Sequence, residues 1–230
     1  MGSSGFRLSP AKQRGVFGMP LGPFSAITSL LLFAWLCKLA LAPETQQFDL
    51  RIRTWIHGFA SPELTSILLF FTELGSWFVL FSAAVLLAIL FLKSRFSEAR
   101  LLTIAMYGAI VLAAALKVAF HRSRPEPFFE ISVPATHAFP SAHALVSFCF
   151  FSLVAGIVSK NTQSWPLRWG AWGLAGFVIF MIGLSRVYLG VQYPSSVLAG
   201  YAAAIVWMGA VRFFADRQPD QSSPHGDDRV

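Results

Sequence analysis

Residues 101–125 read LLTIAMYGAIVLAAALKVAFHRSRP. Residues 101–120 form an apolar run whose length matches the roughly 20 residues a helix needs to cross the hydrocarbon core of a bilayer. The run ends in Lys117, His121, Arg122, Arg124 and Pro125, so the first charges stand where the chain should leave the membrane. Comparable apolar runs lie on either side, at about 24–42, 64–92, 142–158, 169–184 and 197–214. The 64–92 run is interrupted at Gly75 and Ser76 and is too long for one straight span, so a short interfacial helix should lead into a span from about Trp77. Residues 43–62 mix Phe48, Trp55 and Phe59 with Asp49, Arg51 and Arg53, a pattern suited to a segment lying along the membrane surface.

The expected fold is therefore all-α: a polytopic six-helix transmembrane bundle over 24–215, with an interfacial segment between the first and second spans. A cytoplasmic N-terminal segment, 1–23, precedes it, and a disordered cytoplasmic tail, 216–230, follows. The first apolar run is too long for the hydrophobic core of a cleaved signal peptide and is read as a retained helix. Composition agrees. Of 230 residues, 55% are hydrophobic and 13% charged, with a mean hydropathy of +0.60, too little charge for the surface of a water-soluble domain. Cys37 and Cys149 both lie inside apolar runs and read as small packing residues. The net charge of +7 is scattered between spans without an aromatic-laced basic patch, which argues against a nucleic-acid partner. Topology explains it better. With the N-terminus inside, eleven Lys and Arg fall on the cytoplasmic side and six on the other: Arg51, Arg53, Lys117, Arg122, Arg124 and Arg186. Four of those six belong to the clusters described next.

Three polar clusters break the hydrophobic pattern, all at span ends on the outer side. They are Lys117 to Pro125, then Pro140-Ser141-Ala142-His143, then Ser185-Arg186 followed by V-Y-L-G-V-Q-Y-P-S-S. Singly, each has an ordinary explanation: Lys117 as a snorkelling flank, Ser141 as a helix N-cap, His143 as a buried polar residue. Together they supply an ammonium, guanidinium groups, a hydroxyl and the N–H groups of a helix start, which is what a tetrahedral oxyanion needs around it. No carboxylate or histidine cluster has metal-ligand spacing, and no cofactor motif is present.

The order and spacing of these clusters resemble the three signature motifs of the type 2 phosphatidic acid phosphatase and vanadium haloperoxidase superfamily, in its integral membrane lipid phosphatase branch. The resemblance implies a metal-independent hydrolase of lipid phosphates or isoprenoid pyrophosphates such as undecaprenyl pyrophosphate. Its place would be a bacterial inner membrane, with both termini cytoplasmic and the site on the periplasmic side. It further implies that Lys117, Arg124 and Arg186 clamp the phosphate, that Ser141 and the backbone around Ala142 complete the cradle, and that His143 protonates the leaving oxygen. In this family a histidine nucleophile follows the third-motif arginine by six residues, and an orienting aspartate comes four residues later. Here those positions hold Gln192 and Ser196. An amide has no lone pair basic enough to attack phosphorus, so hydrolysis is expected to be impaired or rerouted. His121, His137 or His143 itself are the candidates for rerouting. The alternative is a pseudo-phosphatase that binds a lipid headgroup or serves as a subunit of a membrane complex. Ala142 stands where glycine is more usual, which could crowd the approach of backbone to phosphate.

Overall fold

A computed structural model describes residues 23–40, 42–131 and 136–215. They form eight helices: α1 (Pro23–Ala40), α2 (Pro43–His57), α3 (Pro62–Leu74), α4 (Trp77–Leu92), α5 (Phe96–Phe120), α6 (Ala142–Lys160), α7 (Trp165–Tyr188) and α8 (Pro194–Ala215). The segments expected to be a cytoplasmic N-terminus and a disordered tail fall outside the described residues, apart from Pro23.

Four helices, α5 to α8, are long and apolar enough to cross a membrane. The α3 and α4 helices pass that test together, bent by 41° at Gly75 and Ser76, where the sequence predicted an interruption. A shorter apolar run, Leu30–Leu39, lies within α1. Length and composition thus supply up to five spans where six were expected. The segment expected to lie along the membrane surface forms a helix, α2, which presents Phe48 and Trp55 outward, with Phe59 exposed just beyond its end. Several helices begin earlier than hydropathy indicates because proline opens them: Pro62 starts α3, Pro166 lies in the first turn of α7 and Pro194 starts α8. A proline in the first turn sacrifices only an N–H that has no intrahelical partner, and its φ suits the helix.

The α6 helix is the centre of the bundle and packs against α5, α7 and α8. Its buried Leu145, Cys149 and Leu153 meet Ala105, Ala109 and Ala113 of α5 and Ala203 and Ala204 of α8. Alanine-sized faces let helix backbones approach closely, which is what drives association where lipid removes the usual hydrophobic gain. Both cysteines are free and buried, as packing residues. Large side chains such as Phe81, Leu92, Phe177 and Phe180 point outward, towards lipid.

At the start of α6 the backbone lies close against α8. A Cβ built on Gly200 of α8 would lie 2.7 Å from the Ser141 carbonyl oxygen and 3.0 Å from the Ala144 Cβ, at the start of α6. Backbone cannot swing aside as a side-chain tip can. Gly200→Ala is therefore expected to lower stability by about 1–3 kcal/mol, read as a fall in melting temperature of the detergent-solubilised protein.

Candidate phosphate-binding site

The site is assembled where α5, α6 and α7 end or begin on one side of the bundle. The α5 helix stops at His121, which adopts a left-handed conformation (φ 44°) and donates its N–H to the Lys117 carbonyl at 3.3 Å. This turn reverses the chain immediately after Lys117. Ala138 N–H then donates to the Arg122 carbonyl at 2.8 Å, which closes the loop before the α6 start.

Arg122 and Arg124, two residues apart, have different tasks. Arg122 forms an ion pair with Asp49 of α2 at 2.8 Å, donates to the hydroxyls of Ser195 (2.8 Å) and Ser196 (3.2 Å), and lies over the Tyr193 ring. The Asp49 carboxylate, 1% exposed, also accepts from the Ser195 N–H at 2.9 Å and from its hydroxyl. A carboxylate on the N-terminal turn of α8 suits both the free N–H groups and the helix dipole there. Arg124 has no carboxylate. Its Nε and Nη2 donate to the carbonyl (2.7 Å) and hydroxyl (3.0 Å) of Thr136, and its Nη1 donates to the Val191 carbonyl at 3.3 Å. Burial lowers the Arg124 guanidinium from its ordinary value, though an arginine remains charged at neutral pH.

Lys117 reaches the same Thr136 hydroxyl at 3.3 Å. Arg186, 8% exposed in the last turn of α7, donates from Nη1 to the Thr72 hydroxyl of α3 at 2.6 Å, and its Nε has no partner. Lys117, Arg124 and Arg186 lie within electrostatic reach of one another and of His143, and Glu73 of α3 lies within reach of Arg186 without forming an ion pair. Among the described residues the only ion pairs are Arg122–Asp49 and the Arg95 and Lys160 contacts with Glu98, so none of these three cations has a carboxylate partner. The sequence placed them on one side from three separate stretches, and the structure brings all three to His143.

Ser141, fully buried, caps α6: its hydroxyl accepts from Ala144 N–H at 3.4 Å, and its own N–H donates to the Ser196 carbonyl at 2.9 Å. The N–H groups of Ala142 and His143 have no acceptor among the described residues and remain available to an anion. Gln192 is 2% exposed and its Oε1 has no partner, while its N–H donates to the Arg186 carbonyl at 3.2 Å. The turn between them requires Gly190 (φ 75°), where a Cβ would lie 2.7 Å from Phe128 N and 2.9 Å from Arg53 Nη2. Arg53 secures that turn from α2 by donating to the carbonyls of Gly190 (3.0 Å) and Glu126. His121 and His137 pack ring edge against ring face, 4.8 Å apart, in the loops at this end of the bundle.

Sequence reasoning did not single out Asp49, Thr72 or Thr136. Thr72 and Thr136 carry no local signal. Asp49 does, as the sole aspartate before residue 216 in a chain with an excess of cations.

A cavity of about 480 Å³ adjoins the cluster. Lys117, Ala142 and His143 line its polar end, and Trp77, Leu80, Ile110, Ala113, Ala114 and Val146 line the rest, so it runs from the cations between α4, α5 and α6. Its dimensions and its lining, apolar with a few converging polar groups, are those of a small-molecule site.

Residues 98–219, more than half of the chain, match the profile of the PAP2 superfamily. Phosphatidylglycerophosphatase B of Bacillus subtilis (strain 168) is 25% identical over 158 residues, covering 68% of this chain and 77% of the relative. The crystal structure of a transmembrane PAP2 type phosphatidylglycerolphosphate phosphatase from Bacillus subtilis superposes with a TM-score of 0.76 at 23% identity, over 87% of this chain and all of the other. That of Aquifex aeolicus LpxE gives a TM-score of 0.53 at 23% identity, over 74% and 94% of the two chains. In sequence and in fold, this chain belongs to the PAP2 superfamily of membrane phosphatases.

Proposed function

We propose that this protein binds the phosphate of a membrane lipid at the outer face of the bilayer, with Lys117, Arg124 and Arg186 as the clamp and Ser141 and the Ala142 backbone as the cradle. The observation that carries this reading is the group of three cations without a carboxylate partner. Glu73, within electrostatic reach of Arg186, offsets one charge of the three; the remaining excess is costly beside lipid, and a dianionic headgroup removes the cost. The adjoining apolar cavity supports a ligand with a hydrocarbon tail. The names of the similar proteins favour a glycerophospholipid monoester such as phosphatidylglycerolphosphate, with an isoprenoid pyrophosphate as the other candidate.

Hydrolysis is impaired in this reading. His143 is retained as the acid for the leaving oxygen, but position 192 offers an amide, and a residue acting as part of a catalytic unit typically contributes on the order of 10⁴-fold or more in rate. A second reading, a catalytically silent lipid-binding protein or subunit of a membrane complex, is favoured by Ser196. Its hydroxyl accepts from Arg122, so the position that would orient an imidazole serves a structural contact instead.

Phosphate release from phosphatidic acid, phosphatidylglycerolphosphate and undecaprenyl pyrophosphate by the purified protein separates the readings. Release no faster than a Lys117→Ala/Arg124→Ala control is expected, together with orthovanadate binding that the control lacks. Release far above the control would refute impairment. The double variant Gln192→His/Ser196→Asp should gain roughly 10⁴-fold in rate over the native chain. An inert double variant that also fails to bind vanadate would mean that the clamp does not function.

The tail assignment has its own test. Ala114 is an exposed residue of α5 lining the cavity, so Ala114→Phe fills the groove without crowding the core. It should weaken binding of a long-chain phosphatidic acid about tenfold while leaving inorganic orthovanadate unaffected; equal effects on both would remove the lipid from the reading.

Orientation and span count belong to the same proposal: α1 is taken as the first of six spans, with both termini cytoplasmic. Ser123 lies exposed in the loop after α5. A Ser123→Cys variant in intact cells is expected to react with a membrane-impermeant maleimide, and protection until lysis would reverse the topology.

A further inference from the structure

Thr136 lies outside all three motifs, yet both of its oxygens are held by clamp cations. Its carbonyl accepts from Arg124 Nε at 2.7 Å, and its hydroxyl is approached by Arg124 Nη2 at 3.0 Å and Lys117 Nζ at 3.3 Å. A hydroxyl has two acceptor lone pairs and one proton to give, while ammonium and guanidinium groups can only donate. Both lone pairs of Thr136 are therefore engaged, and its proton must point elsewhere. No described residue accepts it. Thr136 is exposed, so this donor, without an acceptor among the described residues, stands at the open mouth of the cluster. Thr136 also occupies the Nε–Nη2 edge of Arg124, which leaves that guanidinium to meet a ligand through its Nη1–Nη2 end.

We infer that Thr136 is a further anion-contacting residue: its hydroxyl, polarised by Lys117 and Arg124, donates to an oxygen of a bound tetrahedral oxyanion. The inference rests on the clamp proposed above and extends it. A hydroxyl whose lone pairs face two cations is a stronger donor than an isolated one, because hydrogen bonds in a chain polarise each other. It adds an uncharged contact that an anion meets on entry, beside two cations whose geometry it also fixes.

The test compares Thr136→Val, Thr136→Ser and the Lys117→Ala/Arg124→Ala control with the native chain. The dissociation constants of orthovanadate and of phosphatidic acid in mixed micelles would be measured by calorimetry on the full-length, detergent-solubilised protein. The isosteric valine should weaken both ligands about tenfold or more, as expected for losing a hydrogen bond to a charged group, with the melting temperature of the unliganded protein unchanged. Serine, which keeps the hydroxyl, should bind within about twofold of the native chain. The ligand with the lower dissociation constant identifies whether the lipid headgroup or the free ion is the natural source. Native affinity in the valine variant, with binding lost in the control, overturns the role of Thr136 and leaves the clamp standing. So does an equal loss in the serine and valine variants, or a loss confined to one ligand. Unaltered affinity in the control as well removes the clamp and this inference together.

Discussion

Three positive side chains meet at one end of a helical bundle, none of them in an ion pair among the described residues, and Glu73, beside Arg186, is the carboxylate within electrostatic reach. Lys117, Arg124 and Arg186 come from the end of α5, the loop beyond it and the end of α7, and their hydrogen bonds go to neutral oxygens of Thr136, Val191 and Thr72. Neutral acceptors satisfy donors but do not cancel charge. Repulsion that water and salt would screen at an exposed surface persists where the groups are partly buried at a membrane edge. The loops must therefore be held closed by other contacts: Arg53 on Gly190 and Glu126, Ala138 on Arg122, and Ser141 on Ser196. These ties gather the cations during folding, so a ligand of the kind proposed would not bear that cost.

The division of labour between Arg122 and Arg124 follows from a single carboxylate. Asp49 is buried on α2 and neutralises Arg122, and in doing so it joins the surface helix, the loop after α5 and the first turn of α8. With Arg122 paired to Asp49, the Ser196 hydroxyl accepts a hydrogen bond from it, a contact that needs no acidic side chain. If position 196 is read by the resemblance as an aspartate site, serine there makes this end of the bundle more positive by about one charge, and in the same reading glutamine at 192 stands in place of the group that would attack a bound phosphate. Under the proposed function both positions would favour ground-state binding over turnover, because an interaction made equally with ligand and transition state raises affinity without raising rate.

Hydropathy made the spans legible, since residues that face lipid or helix neighbours must be apolar whatever their partners are. It located helix ends less well. The α7 helix begins at Trp165 and ends at Tyr188, beyond the 169–184 run, because its first and last turns carry Arg168, Ser185 and Arg186, whose polarity says nothing against helix. The span count was also less legible than the helices, because the bend between α3 and α4 and the short apolar run of α1 sit at the margin of what length alone decides. In the site, the motif residues were legible as three clusters, and their convergence followed from the shared side. The partners Thr72 and Thr136 were not, because a threonine facing a cation 114 or 19 residues away leaves no periodic trace in its own segment.

The break at Gly75 and Ser76 lies between the two halves of the candidate site. Had α3 and α4 run as one straight helix, the residues just before and just after the break would follow one another along a single axis. The 41° bend lets α3 turn Thr72 to Arg186, while Trp77 and Leu80 of α4 line the apolar cavity that reaches Lys117 and His143. Head and tail of an amphiphile have opposite demands: one needs unpaired donors, the other a surface without any. A bend placed at the level of the cations meets both with one short stretch of chain. It also fixes their spacing, because residues on either side of a two-residue break cannot drift apart. A water-soluble phosphate ester needs only the cations; the bend with its apolar lining is the feature that a lipid requires and a soluble ester does not.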